Sequence, residues 1–294
     1  MSEYPVNVVP APMAATIRPP RTRAAGTSGD GYATAQEAAG TVAPQDGVDT
    51  LLTVIVPVYN EAATVDELLR RVVGVALDLQ VIVVDDGSTD GTTTILERWE
   101  GHPLVELLAH ACNRGKGAAI RTALEQVRGR YTIVQDADLE YDPADYARLL
   151  QPLLAGDADA VYGSRYVKPA SVGNARPTNA RAAAGRPPWS VFRAGVCALN
   201  LATRRLYGAR LTDEATCYKV FPTEALRAMR LVCERFEFCP EVTAKACRMG
   251  LRIAEVPVRY SPRGMAEGKK IRWRDGVEAL VTLWRWRKWE PGRR

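Results

Sequence analysis

The sequence is poor in the residues that most often build metal and redox centres. It holds two histidines, His102 and His110, and its six cysteines form no C-x-x-C pair. A zinc site needs clustered ligands at short spacing, and a disulfide framework belongs to small secreted chains. The thiols of Cys112, Cys197, Cys217, Cys233, Cys239 and Cys247 therefore read as small apolar side chains. Long apolar runs are also missing. Stretches such as 51–58 and 81–84 fall far short of the roughly 20 residues that cross a bilayer. No basic region followed by an apolar run opens the chain, so no secretory signal is expected. No G-x-G-x-x-G follows the first strand pattern, which disfavours a nicotinamide dehydrogenase. A glycine-rich loop with a basic residue is absent there too, which disfavours a sugar nucleotidyltransferase. No nucleic-acid-binding module pattern occurs, so nucleic acid is not an expected partner. The expected place is the cytoplasm, with any membrane attachment peripheral and from the inner face.

What is present looks globular: 47% hydrophobic and 25% charged residues in a chain of 294. Residues 1–50 stand apart. They are rich in Ala, Pro, Thr and Gly, and Pro10, Pro12, Pro19 and Pro20 interrupt any helix, so a disordered leader is expected. Between residues 51 and 262, strand and helix patterns alternate. Strands are expected near 51–56, 81–84, 104–108, 131–134, 158–162 and 253–258, with amphipathic helices between them. Asp142 reads as an N-cap with Pro143 at the first helical position. The pattern implies an α/β domain with a mostly parallel sheet and right-handed crossovers. In such sheets the ligand crevice lies beyond the carboxyl ends of the strands. That rule brings Asn60-Glu61, Asp85-Asp86 and Asp136-Ala137-Asp138 to one edge.

Residues 263–294 carry ten Lys/Arg against four Asp/Glu, a surplus that covers the whole net charge of +5. Val277, Leu280, Val281 and Trp284 share one helical face. Trp284, Trp286 and Trp289 alternate with Arg285, Arg287 and Lys288. Trp and basic residues together suit a membrane interface, and they equally suit a helix packed on the domain with a solvated basic side.

Asp136 and Asp138 carry the most chemistry. Two carboxylates one residue apart at a strand end can approach one hard cation, Mg²⁺ or Mn²⁺, which grips a diphosphate. Glu140 adds a ligand or holds a metal-bound water. Asp85 and Asp86 can accept from a base N–H or a ribose hydroxyl. The turn after them, Gly87 to Gly91, also reads as a helix cap around Ser88 or Asp90. Residues 164–193 contain Arg165, Lys168, Arg176, Arg181, Arg186 and Arg193 and no acidic residue. Such a basic, breaker-rich stretch reads as an anion-binding lid or as a solvated loop. Phe236 and Phe238 read as core. Glu241 reads as a helix cap or as facing a second substrate.

Four segments stand in a telling order: Val56-Pro57-Val58-Tyr59-Asn60-Glu61, Val84-Asp85-Asp86-Gly87-Ser88-Thr89-Asp90-Gly91, Asn113-Arg114-Gly115-Lys116-Gly117 and Gln135-Asp136-Ala137-Asp138-Leu139-Glu140. Together they resemble family-two glycosyltransferases, nearest to the dolichyl- or polyprenyl-phosphate mannosyltransferase branch, from Leu51 to the C-terminus. The resemblance implies a GT-A type nucleotide-sugar-binding fold, an inverting mechanism and a GDP- or UDP-hexose donor. It implies that Pro57, Tyr59 and Glu61 border the nucleoside, with Asp85 or Asp86 at the base. Asp136, Asp138 and Glu140 would hold the metal. Lys116 would lie near the nucleotide, although it reads equally as a solvated lysine opening a helix. Arg165 and Arg193 would contact phosphate. The stretch from Leu211 to Phe221 would lie by the acceptor, with Asp213 as the best-placed general base for an alcohol and Glu214 behind it. A phosphate acceptor is already ionised and needs no base. The family wording there ends in Ser-Gly-Phe, whereas this chain has Thr216-Cys217-Tyr218. The acceptor thus stays open between a polyprenyl phosphate and a soluble small molecule or glycan. A reading from another class is a non-catalytic anion- or membrane-docking protein, which predicts no metal-dependent nucleotide binding.

Overall fold

The computed structural model describes residues 50–167, 191–263 and 273–292. The expected leader and the middle of the expected lid lie outside the described residues.

Seven strands form one sheet: β1 (Leu52–Val58), β2 (Leu79–Asp85), β3 (Val105–Ala109), β4 (Tyr131–Val134), β5 (Ala160–Ser164), β6 (Lys219–Pro222) and β7 (Ile253–Pro257). Their order is β3-β2-β1-β4-β6-β5-β7, and only β6 runs antiparallel to its neighbours. The helices are α1 (Val65–Val73), α2 (Thr92–Leu96), α3 (Lys116–Leu124), α4 (Tyr146–Leu154), α5 (Val191–Tyr207), α6 (Thr223–Ala228), α7 (Phe238–Arg248) and α8 (Trp273–Arg285). Strand β2 is buried at every position, which is why it reads as an unbroken apolar run rather than an alternating one. Helix α1 buries Val65, Leu68, Leu69 and Val72, the face its three- and four-residue spacing predicts. The Asp142 side chain accepts from the Ala144 N–H at 3.0 Å, and Pro143 opens a single 3-10 turn leading into α4.

Strand β6 escapes the sequence reading because it is four residues long and begins with a lysine. Lys219 is buried, and its ammonium donates to the Glu214 carbonyl at 2.5 Å and the Thr216 carbonyl at 2.8 Å, 4.5 Å from the Tyr162 ring centroid. Two carbonyls and an aromatic face replace the water this charge loses.

Most of the apolar core lies between the sheet and its helices. A second cluster joins α5, α7 and α8 through Leu199, Tyr207, Ala244, Ala279 and Leu283. Helix α8 therefore packs on the domain, but through Ala279, Thr282 and Leu283. The apolar face read from the sequence points outward: Val277, Leu280, Val281 and Trp284 are each at least 37% exposed. Of the two phenylalanines expected in the core, Phe238 is buried and Phe236 is exposed.

Candidate active site

Register brings the expected residues to one edge. Val58 of β1 stands beside Asp85 of β2, and Ile55 beside Val134 of β4. The chain leaves all three strands at that end, into Tyr59-Asn60-Glu61, Asp86-Gly87 and Gln135-Asp136.

The first two segments are knitted together. Asn60 takes a left-handed conformation (φ 51°), its N–H donates to Ser88 Oγ at 2.9 Å, and its Oδ1 accepts from the Thr89 N–H at 2.8 Å. The Glu61 N–H reaches Thr92 Oγ1 at 2.9 Å, and the Ala62 N–H reaches Asp90 Oδ2 at 3.1 Å. Asp85 holds its own turn, accepting from the Ser88 N–H (3.0 Å) and the Thr93 hydroxyl (2.6 Å). Asp86 holds the third segment, accepting from the Arg114 N–H (2.9 Å), the Gly115 N–H (2.7 Å) and His110 Nδ1 (2.6 Å). At 4% and 2% exposure, the two carboxylates shape these loops, the capping task that the turn also suggests. Burial makes protein N–H groups the nearest partners for their charge.

The segment Asn113 to Gly117 is likewise shaped by packing. The N–H groups of Gly117 and Ala118, at the start of α3, donate to the carbonyls of Arg235 and Glu234, both at 3.0 Å. A Cβ at Gly117 would meet the Cys233 backbone at 2.7 Å. Gly117→Ala is therefore expected to cost about 2 kcal/mol by overpacking. Thermal unfolding should show a melting point lower by roughly 5 °C.

Lys116 is the member of this segment that enters the crevice. Its ammonium pairs with Asp136 and lies 3.5 Å from Cys217 Sγ. Burial pushes Lys116 down, but Asp136 and the neighbouring thiols outweigh it and hold the ammonium well above its usual range. It is not the solvated lysine that the alternative reading described.

Asp138 lies in the same turn, where Leu139 adopts a left-handed conformation (φ 59°) and the Asp138 Oδ1 accepts from the Glu140 N–H at 3.1 Å. Its carboxyl is pushed up to about 6, first by burial and then by Asp136 and Glu140, against the pull of Arg263. From the sequence, Arg263 is only the first residue of the basic tail. Its Nη1 and Nη2 each lie 3.0 Å from one oxygen of Glu61, and Nη2 also stands 3.2 Å from Asp138. One guanidinium thus joins the end of β1 to the end of β4. Its buried Nε–H has no partner among the described residues.

Glu140, expected beside Asp136 and Asp138, has a partner on each oxygen. One oxygen accepts from the Tyr260 hydroxyl at 2.7 Å and the other from the Arg263 N–H at 2.8 Å. It holds the strap of chain after β7 that delivers Arg263.

Beneath this turn, Gln135, the motif residue to which the sequence gives no task, is buried. Its Oε1 accepts from the Tyr146 hydroxyl (2.6 Å) and the Tyr218 hydroxyl (2.5 Å), while its Nε2 donates to the Asp136 carbonyl (2.9 Å). Thr216, Cys217 and Tyr218 are all buried here. The departure from the family wording supports the Asp136 turn from below and lines no open acceptor surface.

A second constellation lies at the end of β5. Asp213 is 0% exposed and accepts from the Arg165 N–H (3.0 Å), from Nε (2.7 Å) and from Nη2 (2.7 Å). Both its oxygens are engaged by one guanidinium, an arrangement that positions an arginine and leaves no oxygen facing a hydroxyl. Arg165 lies 5.0 Å from the Tyr260 ring centroid and 5.7 Å from that of Tyr166, and Arg193 reaches the same Tyr166 ring at 5.8 Å. The two arginines expected to contact phosphate therefore meet at one aromatic ring. Glu241 does neither thing expected of it: its carboxylate holds the N–H groups of Val232 (2.9 Å) and Cys233 (2.7 Å) and pairs with Lys245.

The donor set fits a Mg²⁺ or Mn²⁺ ion. Asp136, Asp138, Glu140 and Glu61 set four carboxylates around Lys116 and Arg263, which offset only part of that negative charge. Among the described residues no three His, Cys, Asp or Glu side chains form a closed cage. Such ions are commonly held by one or two carboxylates, with phosphate oxygens and water completing the shell.

A family profile described as Glycosyl transferase family 2 matches residues 53–220. The chain belongs to glycosyl transferase family 2. Its fold is of the GT-A type and its class of activity is glycosyl transfer. The undecaprenyl-phosphate mannosyltransferase of Micrococcus luteus is 32% identical over 80% of this transferase and 95% of its own length. The UDP-N-acetylglucosamine–dolichyl-phosphate N-acetylglucosaminyltransferase of Methanococcus voltae is 27% identical, over 76% and 91%. Glycosyltransferase AglJ of Haloferax volcanii is 28% identical over 71% of this chain, which spans 63% of that longer protein. Among solved structures, glucosyl-3-phosphoglycerate synthase of Mycobacterium tuberculosis, in complex with Mn²⁺, UDP and glucosyl-3-phosphoglycerate, aligns with a TM-score of 0.58 at 18% identity, covering 81% of this chain and 80% of that one. A mannosyltransferase of Pyrobaculum calidifontis, in complex with GDP-mannose and Mn²⁺, aligns at 0.53 and 25% identity, covering 83% and 66%.

Proposed function

We propose that this transferase moves a hexose, mannose or glucose, from a GDP- or UDP-sugar to a polyprenyl phosphate with inversion at the anomeric carbon. The observation that carries the reading is the Arg263 guanidinium, which ties Glu61 to Asp138 and so makes the ends of β1 and β4 one crevice. Asp136 and Asp138 are the residues to hold a divalent cation, which when bound offsets the charge of the leaving diphosphate. Lys116 and the unpartnered Nε–H of Arg263 supply two further positive contacts for phosphate oxygens. The nucleoside lies against Pro57, Tyr59 and Glu61, on loops that Asp85 and Asp86 hold rigid. Arg165 and Arg193 place the acceptor phosphate, whose oxygen attacks the anomeric carbon from the face opposite the diphosphate. Asp213 keeps Arg165 in place and abstracts no proton. Catalysis is then positioning and charge stabilisation. The names of the Micrococcus and Methanococcus relatives support a polyprenyl phosphate acceptor.

A donor screen tests this: GDP or UDP release with and without Mn²⁺, with polyprenyl phosphate present, and mass analysis of the lipid extract. Metal-dependent release with a glycosylated lipid is expected. Release without any lipid product would point to a soluble acceptor, and absence of nucleotide binding would favour the docking protein.

Helix α8 gives the enzyme its means of reaching a lipid substrate. Among the described residues, no helix is long and apolar enough to cross a membrane. The outward face of Val277, Leu280, Val281 and Trp284, flanked by Arg285, Arg287 and Lys288, suits an anionic bilayer surface. The double variant Val281→Glu, Trp284→Glu is expected to lose about 10-fold or more in co-sedimentation with vesicles containing anionic lipid. Unchanged sedimentation removes α8 from the membrane contact.

A further inference from the structure

Arg165 owes its place to Asp213, and Asp213 owes its own to Glu255. Glu255 lies in β7, in register with Tyr162 of β5, and is 5% exposed. Both its carboxylate oxygens lie 2.9 Å from the Thr212 N–H, and Oε1 also accepts from the Asp213 N–H at 3.0 Å. Two further bonds fix the same turn: Ser164 Oγ to Thr212 Oγ1 at 2.7 Å, and Asn200 Nδ2 to the Thr212 carbonyl at 2.7 Å. The polypeptide between β5 and β7 is otherwise irregular there, so its adjacent N–H groups need an acceptor supplied by a side chain. An ionised carboxylate fits because it can only accept, and it presents two oxygens to two adjacent donors. The order of support runs from Glu255 to the Thr212–Asp213 backbone, then through the Asp213 carboxylate to the Arg165 guanidinium beside Tyr166 and Tyr260.

We propose that Glu255 is a positioning residue for acceptor phosphate, acting through Asp213 on Arg165 without touching either substrate. This rests on the reading of Arg165 as a phosphate contact. Asp136 and Asp138 meet Lys116, the Glu140 N–H and Arg263, whereas the Glu255 side chain lies in β7 and bonds to the Thr212 and Asp213 backbone. Its removal therefore disturbs the acceptor half and spares the donor half.

The test is Glu255→Gln in the full chain, assayed with Mn²⁺, the donor that the wild type uses and a water-soluble short-chain isoprenyl phosphate. Glutamine is isosteric, but its NH₂ group confronts one of the two N–H donors. The KM for the isoprenyl phosphate is expected to rise about 10-fold or more, with donor KM within about twofold of wild type. Combined with Arg165→Lys, Glu255→Gln is expected to add no further loss, because both act on one unit. Hydrogen exchange at the Thr212 and Asp213 amides is expected to quicken. Equal rises in both KM values, full additivity with Arg165→Lys, or unchanged exchange at both amides would each overturn the inference. Should Glu255→Gln not fold, Glu255→Asp keeps the charge and withdraws the oxygens by one methylene. A smaller acceptor-only shift in that variant supports the inference, and a shift in donor KM overturns it. A wild-type enzyme that turns over no isoprenyl phosphate sinks the acceptor reading and this inference together. Wild-type turnover with an unaffected Glu255→Gln enzyme sinks the inference alone.

Discussion

Asp138→Asn is expected to lower hexose transfer on the order of 10³-fold while leaving the fold intact, since it removes charge stabilisation aimed at the leaving group. The substitution is isosteric. An asparagine oxygen still accepts from the Glu140 N–H, now at 3.1 Å from Asp138, so the Leu139 turn keeps its support. What disappears is one of the two negative charges available to the cation, and with it part of the counter-charge for Arg263, 3.2 Å away. Asp136→Asn is expected to act similarly and also to release Lys116. The measurement is GDP or UDP release across a Mn²⁺ titration, with circular dichroism as the control for folding. A raised Mn²⁺ requirement with lost turnover is the expected pattern. Near wild-type turnover at low Mn²⁺ would take Asp138 out of the metal site.

Arg165→Lys is expected to cost on the order of 10²-fold in turnover of acceptor, the scale of a misplaced reacting group. A lysine keeps the charge and loses the fork. Arg165 meets both oxygens of Asp213 through Nε and Nη2, each at 2.7 Å, and lies over the Tyr260 ring at 5.0 Å. A single ammonium reproduces neither the paired bonds nor the planar stacking. Asp213→Asn separates the acceptor classes. With a phosphate acceptor, activity is weakened because Arg165 loses its counter-charge, but it survives. With an alcohol acceptor that needs a base, activity is abolished. Kinetics of both variants, with donor and acceptor varied separately, check this. An acceptor KM unchanged in Arg165→Lys would remove that residue from the phosphate contact.

All the strands except β6 were legible because each is a short apolar run between turn or helix signals, a local pattern that needs no knowledge of the rest of the chain. The motif residues were legible as a set, yet several of their tasks were not. Across two loops, Asn60 turned out to bind Ser88 and Thr89, and the Ala62 N–H to reach Asp90. Asp85, Asp86 and Glu140 hold backbone, which no spacing rule announces. Lys116 entered the crevice because Gly115 and Gly117 let the start of α3 lie against residues 233–235. Arg263 was hidden by distance: it meets Glu61 across 202 positions. Gln135 and Glu255 were hidden by their surroundings, since a buried polar residue in or beside a strand looks like an interruption until its partners are known.

The amino-acid order alone determined the alternation of strands and helices, the parallel sheet and the acidic pairs at its edge, because these follow from local periodicity and from which strand ends a connection must leave. Only the tertiary structure decided which N–H groups, hydroxyls and cations each carboxylate meets, which arginine joins the ends of β1 and β4, and which face of α8 meets solvent. A charge buried without a partner is costly, and the partner that satisfies it is set by packing across the whole domain, not by its neighbours in the chain.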